Sequence, residues 1–407
     1  MRSAGKSSLP TAKRFTDRPG ASLWSLYTRE PTATSARGSA DKDRIEALQV
    51  IRGMAALSVV LFHAQFLFGP NALLDSTYQI KFLSFGHAGV EIFFVLSGYI
   101  ILRAHWGDPN SWTYFKRYVA RRFTRIFPMT IGTVICLLAM TPLLRWLTSD
   151  PLLFDISPIK IVTSLSLIPF QCEYLPGTLW SLSNEVLFYL IFAAYFIRPA
   201  FFVFGISLLT SLILLNAALP FARPLAACGG SPLNLYNAIF VFGIAAFFVS
   251  KLLEKINMPA WMPVAALTTG VAIFAVSAYI DVKYLSDMYF DQAIAPNRAA
   301  KMITHFLYAV AGGWIILGAS LLSWRPCGAV GRAFTYLGEA SFSLYLIHEP
   351  ALGVTARILH PLTLAGSPRG ELALFAIVAS SVVLALAVHQ FAELRLVDLF
   401  RASPKRG

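Results

Sequence analysis

Two residues that could carry acid–base chemistry lie in the first apolar segment of the chain, where a membrane helix normally excludes them. Arg52 and His63 are eleven residues apart, so in a helix both side chains leave on the same face, about 16 Å apart along the axis. An arginine at the bilayer centre costs at least ~2.5–3.5 kcal/mol, and such residues usually face a cavity or a partner. A neutral histidine can act as a general base towards a hydroxyl. The pair therefore predicts a site inside the membrane.

A second apolar segment, residues 86–98, contains three more polar side chains. His87, Glu91 and Ser97 lie within it, and His87 and Glu91 share one helix face because they are four residues apart. Ser97 and the glycines of the segment favour a close contact between helices. Glu91 is interpreted equally well as a functional group or as a direct partner of Arg52 or His63. All three side chains are candidates to line the site.

A third segment opens with Trp180 and brings Glu185 into the membrane. Trp180 is typical of a membrane interface, although it is also a candidate to line the site. Glu185 lies too deep to reach water and must find a cation, hydrogen bonds or a proton. If the spans alternate in direction, His63, His87 and Glu185 all fall in the outer half of the membrane. We therefore predict an outer layer in which Glu185 orients or charges His63.

The same alternation places a cationic layer at the inner side of the membrane. Arg52 falls there, together with Arg121, Arg122 and Arg125. Arginines can hold phosphates through paired hydrogen bonds, but for Arg121, Arg122 and Arg125 taken alone, anchoring of a cytoplasmic loop is the favoured interpretation. A donor that spans the two layers has to be long and phosphate-bearing at one end. Coenzyme A thioesters have that shape.

The remaining histidines divide into one candidate and several that we expect to be peripheral. His348 lies in the middle of an apolar segment and is followed by Pro350, which disturbs a helix and frees backbone groups. Site lining and packing are both open for it. The expected peripheral histidines are His105, His305, His360 and His389.

The composition places these residues in an integral membrane protein. The 407 residues are 56% hydrophobic and 14% charged, with a mean hydropathy of +0.62, whereas soluble domains are about a quarter charged. We expect an all-α, polytopic fold with about ten transmembrane helices. They are predicted at 46–68, 80–102, 126–147, 180–198, 200–219, 233–250, 261–280, 303–323, 338–358 and 371–391.

The distribution of positive charge sets the expected topology. Most Lys and Arg residues fall in inner segments if both termini are cytoplasmic, which is the positive-inside bias. The net charge of +13 is then explained by topology and by attraction to anionic membrane lipid, so no nucleic-acid partner is needed.

The chain divides into three parts on this interpretation. Residues 1–43 predict a disordered basic cytoplasmic tail, with an organelle transit peptide as the minority interpretation. Residues 44–398 form the transmembrane domain and 399–407 a cytoplasmic C-terminal tail. Segment 112–125 interleaves aromatic and basic residues and predicts an interfacial helix. The four cysteines have no metal-like spacing, and Cys172 and Cys228 are candidates for a disulfide.

Five motifs in this chain resemble those of the acyltransferase family 3 membrane proteins. Arg52 and His63, with ten residues between them, are similar to the family's first signature. The other four are Gly-Val-Glu-Ile-Phe-Phe-Val-Leu-Ser-Gly at 89–98, Arg-Arg-Phe-Thr-Arg-Ile-Phe-Pro at 121–128, Trp-Ser-Leu-Ser-Asn-Glu at 180–185 and Ser-Phe-Ser-Leu-Tyr-Leu-Ile-His at 341–348. Glu91 stands where the family commonly has aspartate, and the charge is kept. Glu393 lacks the proline that often follows it, which leaves its family role open.

The resemblance implies a ten-helix domain that takes an acyl group, usually acetyl, from cytoplasmic acyl-coenzyme A. The acceptor is usually a hydroxyl of a glycan, a glycolipid or a lipid-linked intermediate. It implies catalytic roles for His63, Glu185 and Arg52, and acyl-coenzyme A binding by Arg122 and Arg125. The family often carries an esterase-like extracellular domain, and we expect 407 residues to be too few to hold one beside the membrane domain. We therefore expect the membrane domain alone, or a partner protein, to complete the transfer.

The sequence therefore predicts an O-acetyltransferase of a bacterial cytoplasmic (inner) membrane. We expect acetyl-coenzyme A, or another acyl-coenzyme A, as the donor substrate, with no bound cofactor and no metal. Two alternatives stay open. A transporter or flippase of a glycan precursor would also bury charges, but the chain has no evident internal repeat. A catalytically silent assembly subunit is the third possibility.

Overall fold

A computed structural model of the chain describes most of the predicted membrane domain. The described residues are 35–69, 74–75, 81–148, 154–169, 173–218, 229–256, 258–287, 298–322, 324, 328–363 and 370–402. Of the expected tail, residues 1–43, the first 34 lie outside them and residues 35–43 are helical. The candidate disulfide between Cys172 and Cys228 also lies outside them.

The described residues are almost entirely helical, which confirms the predicted all-α fold. The helices are α1 (Ser35–Gln65), α2 (Ala88–His105), α3 (Trp112–Thr148), α4 (Pro158–Ser166), α5 (Leu179–Ala193), α6 (Pro199–Ala218), α7 (Tyr236–Leu253), α8 (Trp261–Ile280), α9 (Arg298–Leu321), α10 (Gly328–Glu339), α11 (Ser341–Thr363), α12 (Gly370–Val388) and α13 (Leu394–Ala402). Two 3₁₀ stretches, Lys81–His87 and Ala194–Phe196, and two π-helical stretches, Asp281–Leu285 and His389–Glu393, adjoin them. Two-residue strands, Phe68–Gly69 and Leu74–Asp75, pair in parallel.

Nine helical stretches in the described part of the chain are long and apolar enough to cross a membrane. They are Glu46–Gln65, Lys81–His105, Trp112–Thr148, Leu179–Phe196, Pro199–Ala218, Tyr236–Leu253, Trp261–Leu285, Ala300–Leu321 and Leu372–Leu399. The predicted span at 338–358 corresponds to α11, which forms a helix. This helix is less apolar than the nine because it contains His348, Glu349, Arg357 and His360. A multi-pass membrane fold follows, while ten spans and two cytoplasmic termini stay predictions.

Helix α3 differs from the expectation for the basic aromatic segment. A separate interfacial helix over 112–125 was expected before a span at 126–147, but Trp112–Thr148 is one continuous helix of 37 residues, about 55 Å long. The prediction of a separate helix is therefore wrong. Pro128 and Pro142 both lie inside this helix, and membrane helices tolerate proline where neighbours satisfy the freed backbone groups. The basic motif is thus the first part of a membrane helix.

Glycines bring the backbones of three helices into direct contact. A Cβ atom added to Gly89 of α2 would lie 2.3 Å from the carbonyl oxygen of Ala55 on α1. One added to Gly243 of α7 would lie 1.9 Å from the carbonyl oxygen of Val95 on α2. Side chains larger than hydrogen cannot fit at these distances, so small residues permit the crossing. This confirms the predicted helix contact for the glycines of 86–98.

Aromatic rings then fix α5 against the same group of helices. Phe240 of α7 stacks on Phe94 of α2 with centroids 4.7 Å apart, and on Phe188 of α5 at 4.3 Å. All three rings are buried. Because Phe188 is three residues after Glu185, this stack sets the position of the Glu185 carboxylate relative to α2.

Replacing Gly243 by alanine should destabilise the fold because the methyl group has no space against the backbone of α2. We expect a loss of about 1–3 kcal/mol of unfolding free energy, measured by thermal unfolding of the purified protein in detergent. Gly132→Ala is the matched control, since a Cβ atom there meets nothing within 4 Å. Equal thermal stability of the two variants would contradict the close crossing of α2 and α7.

Candidate active site

His63 contacts a second histidine, His348, at the junction of α1 and α11. The two rings have centroids 4.9 Å apart, and His348 Nε2 lies 3.4 Å from His63 Nδ1. His63 Nδ1 also lies 2.9 Å from the carbonyl oxygen of Val59. A carbonyl only accepts, so Nδ1 of His63 carries the hydrogen and Nε2 carries the lone pair. His63 is thereby held in the tautomer that a general base requires.

The same logic defines the role of His348. Its Nδ1 donates to the carbonyl oxygens of Tyr345 and Leu344, at 2.8 and 3.2 Å, which leaves Nε2 as an acceptor facing His63. His348 is fully buried. Of the two interpretations open from the sequence, the geometry places it in contact with His63, where it orients that ring.

Arg52 makes a second contact between the same two helices. Its Nη2 donates to Ser341 Oγ at 2.8 Å, and its Nη1 donates to Gln49 Oε1 at 3.2 Å. Arg52 precedes His63 on α1 as Ser341 precedes His348 on α11, so the two helices run in the same direction through the site. The first and last motifs of the sequence therefore form one unit.

A small cavity, here called the cationic cavity, adjoins Arg52 and has a volume of about 80 Å³. Its polar lining residues are Arg52, Ser97, Arg125, Ser181, Glu185, Tyr189, Ser341 and Tyr345. Glu185 accepts hydrogen bonds from Ser97 Oγ at 3.0 Å and from the Tyr189 hydroxyl. Ser97 thus contacts a site carboxylate and does more than permit helix packing.

The position of Glu185 corrects one prediction from the sequence. We expected Glu185 in an outer layer beside His63, but it lines the cationic cavity with Arg52 and Arg125, and His63 lines other cavities. The expected depth came from counting residues along each span. That count ignores the tilt and offset of α5 relative to α1.

Arg122 lies apart from Arg52 and Arg125, the two arginines that line the cationic cavity. It is buried, its Nη2 lies 3.1 Å from His105 Nε2, and its guanidinium lies 5.6 and 5.3 Å from the ring centroids of Tyr118 and Tyr189. His105 is buried as well, and its Nδ1 lies 3.0 Å from Asp108 Oδ2. The prediction of His105 as peripheral is therefore wrong. Arg122 packs behind Tyr189 and does not line the cationic cavity.

A second cavity of about 250 Å³, the histidine cavity, lies on one side of His63. Its lining includes Val59, Phe62, His63, His87, Val90, Trp180, Tyr236, Lys301, His305 and Tyr345. Trp180 and Tyr236 form a ring pair at 4.8 Å, and Tyr236 packs edge-on against His305 at 5.0 Å. The cavity therefore combines aromatic faces with polar groups, and Trp180 lines it as well as lying at the start of α5.

A buried ionic network forms one wall of the histidine cavity. Glu91 contacts His305 Nδ1 directly and lies 3.3 Å from His87 Nδ1, while His87 Nε2 lies 2.8 Å from Asp281 Oδ2. Tyr308 donates to the same Asp281 oxygen at 3.3 Å. The carboxylates of Glu91 and Asp281 are thus paired with imidazoles, as buried charges require. The described partners of Glu91 are histidines, in place of the expected Arg52 or His63.

The network corrects the expectation for His305 and contains, among the described residues, a group of side chains with the spacing of metal ligands. His305 was expected to be peripheral, but it is buried and contacts Glu91. Ligand atoms of His87, Glu91 and His305 lie within 4.8 Å of one another. The Nδ1 atoms of His87 and His305 both face Oε1 of Glu91, and N–H groups at these positions can donate to that oxygen. We therefore interpret the cluster as a hydrogen-bonded network.

A third cavity of about 500 Å³, the polar cleft, lies on the other side of His63. Its charged lining residues are Asp155, Lys160, Glu349 and Arg357, and Tyr174 lines it too. Glu349 Oε2 accepts a hydrogen bond from the Thr178 backbone N–H at 3.0 Å. The Lys160 ammonium donates to Asp155 at 2.6 Å and lowers the pKa of that carboxyl. The cleft thus offers both charges and hydrogen-bonding groups next to His63.

Another polar cluster among the described residues is separate from these cavities. Glu393 accepts from Ser343 Oγ at 2.6 Å and lies 2.7 Å from His389 Nδ1. Both Glu393 and His389 are buried. His389 is therefore a packing residue of the interior, and the expectation that it is peripheral is wrong.

Comparison with known proteins identifies the family. A sequence model described as an acyltransferase domain, of the acyltransferase 3 type, matches residues 45–389. The chain belongs to this family. The resemblance seen in the five motifs is thereby confirmed, and the chain is a member of an enzyme family that transfers acyl groups.

Three relatives illustrate the range of this acyltransferase family. YrhL of Bacillus subtilis (strain 168), assigned as a peptidoglycan O-acetyltransferase, is 25% identical over 76% of this chain and 48% of its own length. The peptidoglycan O-acetyltransferase OatA of Listeria monocytogenes is 24% identical over 77% of this chain and 50% of its own. The exopolysaccharide production protein ExoZ of Rhizobium meliloti is 27% identical over 78% of this chain and 91% of its own length.

The extent of these matches differs among the relatives. The chain spans about half the length of the two peptidoglycan-related proteins, and nearly the whole length of ExoZ. No solved structure matches the chain.

Removing the His305 imidazole should destabilise the protein, because the buried Glu91 carboxylate loses the partner with which it makes its shortest contact. We expect His305→Ala to lose about 1–3 kcal/mol, the cost of leaving a buried polar group without one partner. Thermal unfolding in detergent measures the loss. His305→Gln, which keeps a donor, should recover part of it. A His305→Ala variant as stable as the wild type would rule out a stabilising contact with Glu91.

Proposed function

We propose that the chain is an O-acyltransferase that moves an acetyl group from acyl-coenzyme A to a hydroxyl of a cell-surface glycan, glycolipid or lipid-linked acceptor. The observation that carries the proposal is the position of His63, a single base that lines both the histidine cavity and the polar cleft. Family membership supplies the reaction type. The names of the relatives support acetyl as the group and a glycan as the acceptor.

The cationic cavity is the proposed entry for the donor. It contains two guanidinium groups, those of Arg52 and Arg125, and one carboxylate, that of Glu185, so its lining keeps a net positive charge. Coenzyme A is anionic, so the net positive charge of this cavity attracts the donor towards it. A volume of about 80 Å³ suits the slender thioester end of the donor, so we place the nucleotide end outside this cavity, on the side that faces the donor's compartment.

His63 is the proposed base. The acceptor oxygen attacks the thioester carbonyl carbon while Nε2 of His63 takes the hydroxyl proton. The carbon–sulfur bond breaks, the thiolate leaves, and His63 returns the proton to the sulfur, which gives free coenzyme A and an ester. The imidazolium formed in between donates through Nδ1 to the Val59 carbonyl and to the His348 lone pair, at 2.9 and 3.4 Å. These two acceptors stabilise its positive charge.

The polar cleft is the proposed acceptor site. A sugar presents several hydroxyl groups, and the carboxylates and cations of the cleft can accept from and donate to them. Tyr174, which also lines the cleft, donates to the backbone oxygen of Ile168 at 2.9 Å. We place the protein in a bacterial cytoplasmic membrane, with the cationic cavity towards the cytoplasm and the cleft towards the outside.

Loss of the His63 imidazole should abolish transfer without unfolding the protein. In a strain lacking the gene, wild-type protein should restore the mass increment of one acetyl group on the surface glycan, and His63→Ala should not. The rate should fall by about 10²–10⁴-fold, the usual contribution of a general base. Glycan mass spectrometry measures the increment.

The matched control for that experiment is another histidine of the same region. His360 lies on α11 and lines none of the three cavities, so His360→Ala should acetylate as the wild type does. An unchanged glycan in the His63→Ala strain would refute the assignment of the base.

Arg125 and Arg122 should affect different quantities, since only Arg125 lines the cationic cavity. Arg125→Ala should raise the KM for acetyl-coenzyme A about tenfold or more, because a hydrogen bond to a charged group contributes about 1.5–3 kcal/mol. Arg122→Ala should mainly lower thermal stability. Initial rates in membranes and unfolding in detergent separate the two. An Arg122→Ala variant with wild-type stability and a raised KM would reverse the assignment.

A further inference from the structure

Two residues line both the proposed donor entry and the histidine cavity, which His63, the proposed base, also lines. Tyr345 and Val90 are the lining residues that the cationic cavity shares with the histidine cavity. His63 in turn is the lining residue that the histidine cavity shares with the polar cleft. The three cavities thus form a series, and an acyl group that moves from the cationic cavity to His63 passes the side chains of Tyr345 and Val90.

The Tyr345 ring is fixed at its hydroxyl and on its flank. The hydroxyl oxygen lies 2.6 Å from Ser181 Oγ, and it also donates to the Thr178 carbonyl oxygen at 3.4 Å. The ring packs edge-on against Phe93 at 5.9 Å. Ser181 and Thr178 belong to the start of α5, so the ring bridges α11 and α5. Widening the passage on this side breaks at least the hydrogen bond to Ser181.

Val90, the other shared lining residue, has little freedom to move away. It is 7% exposed and follows Gly89, whose backbone lies directly against the Ala55 carbonyl of α1. It precedes Glu91, which the two histidines of the network hold. The backbone of α2 is therefore fixed on both sides of Val90. The width of the passage depends on two side chains with rigid supports.

We propose that Tyr345 and Val90 form an aperture that selects acyl groups by their cross-section. This inference rests on the proposed function, because it needs a thioester that enters through the cationic cavity. An unbranched chain has the cross-section of the donor's own slender arm and passes. A branch next to the carbonyl adds one methyl group to that cross-section, and a tight apolar contact distinguishes a single methyl group by 10-fold or more.

The test compares two acyl groups with the same number of carbons. Membranes that contain the full-length protein receive labelled acetyl-, n-butyryl- or isobutyryl-coenzyme A, and alkali-labile label in the membrane fraction is counted. The same membranes with His63→Ala supply the background. If the aperture exists, the wild type transfers n-butyryl faster than isobutyryl, or it transfers neither of these two groups. Val90→Ala and Tyr345→Ala should raise isobutyryl transfer relative to n-butyryl transfer about tenfold.

Tyr345→Phe removes the hydroxyl anchor and keeps the ring, so it should give a smaller rise and guards against a misfolded alanine variant. Phe342→Ala enlarges the cationic cavity alone and should leave the ratio at its wild-type value. The aperture is overturned if acetyl transfer depends on His63 but Val90→Ala and Tyr345→Phe keep the wild-type discrimination or gain no branched substrate. If no acyl-coenzyme A gives His63-dependent label in the wild type, the proposed function itself fails.

Discussion

The need to satisfy polar groups buried among apolar helices determines how this protein is assembled. An unpaired polar group in the membrane interior costs several kcal/mol, and α1 carries two of them, Arg52 and His63. Both are satisfied by α11, through Ser341 and His348. Two contacts at different heights fix the rotation as well as the offset of one helix against the other. The pairing that satisfies the cation is therefore the one that orients the base.

The second buried network follows the same rule but joins different helices. Glu91 on α2 reaches His305 on α9, and His87 reaches Asp281 at the end of α8. Asp281 opens a π-helical stretch, Asp281–Leu285, and the other such stretch among the described residues, His389–Glu393, contains the His389–Glu393 pair. The wider turn of a π-helix changes the direction of the side chains that follow. In both places it coincides with a buried ionisable pair.

The sequence alone predicted the residues of the site better than their partners. The spacing of Arg52 and His63 placed them on one helix face, and both contact α11 as a shared face requires. His305 and Asp281 were missed because each is a single polar residue in or beside an apolar helix. Only the packing of the helices brings His305 to Glu91 and Asp281 to His87. Tyr345 was visible within a motif, but its position between two cavities depends on where α5 begins.

The arginine motif of α3 shows why two interpretations of one charge cluster need not compete. Arg121 is exposed, Arg122 is buried against His105 and two tyrosine rings, and Arg125 lines the cationic cavity. Successive helical positions rotate by about 100°, so neighbouring arginines face different surroundings. The exposed position suits membrane anchoring, and the buried one positions Tyr189, which donates to Glu185. The third position, three residues further on, presents its guanidinium to the cavity. A single continuous helix can therefore hold the protein at the membrane surface, brace the Glu185 carboxylate and supply positive charge to the donor, which an interfacial helix separated from the span would not achieve.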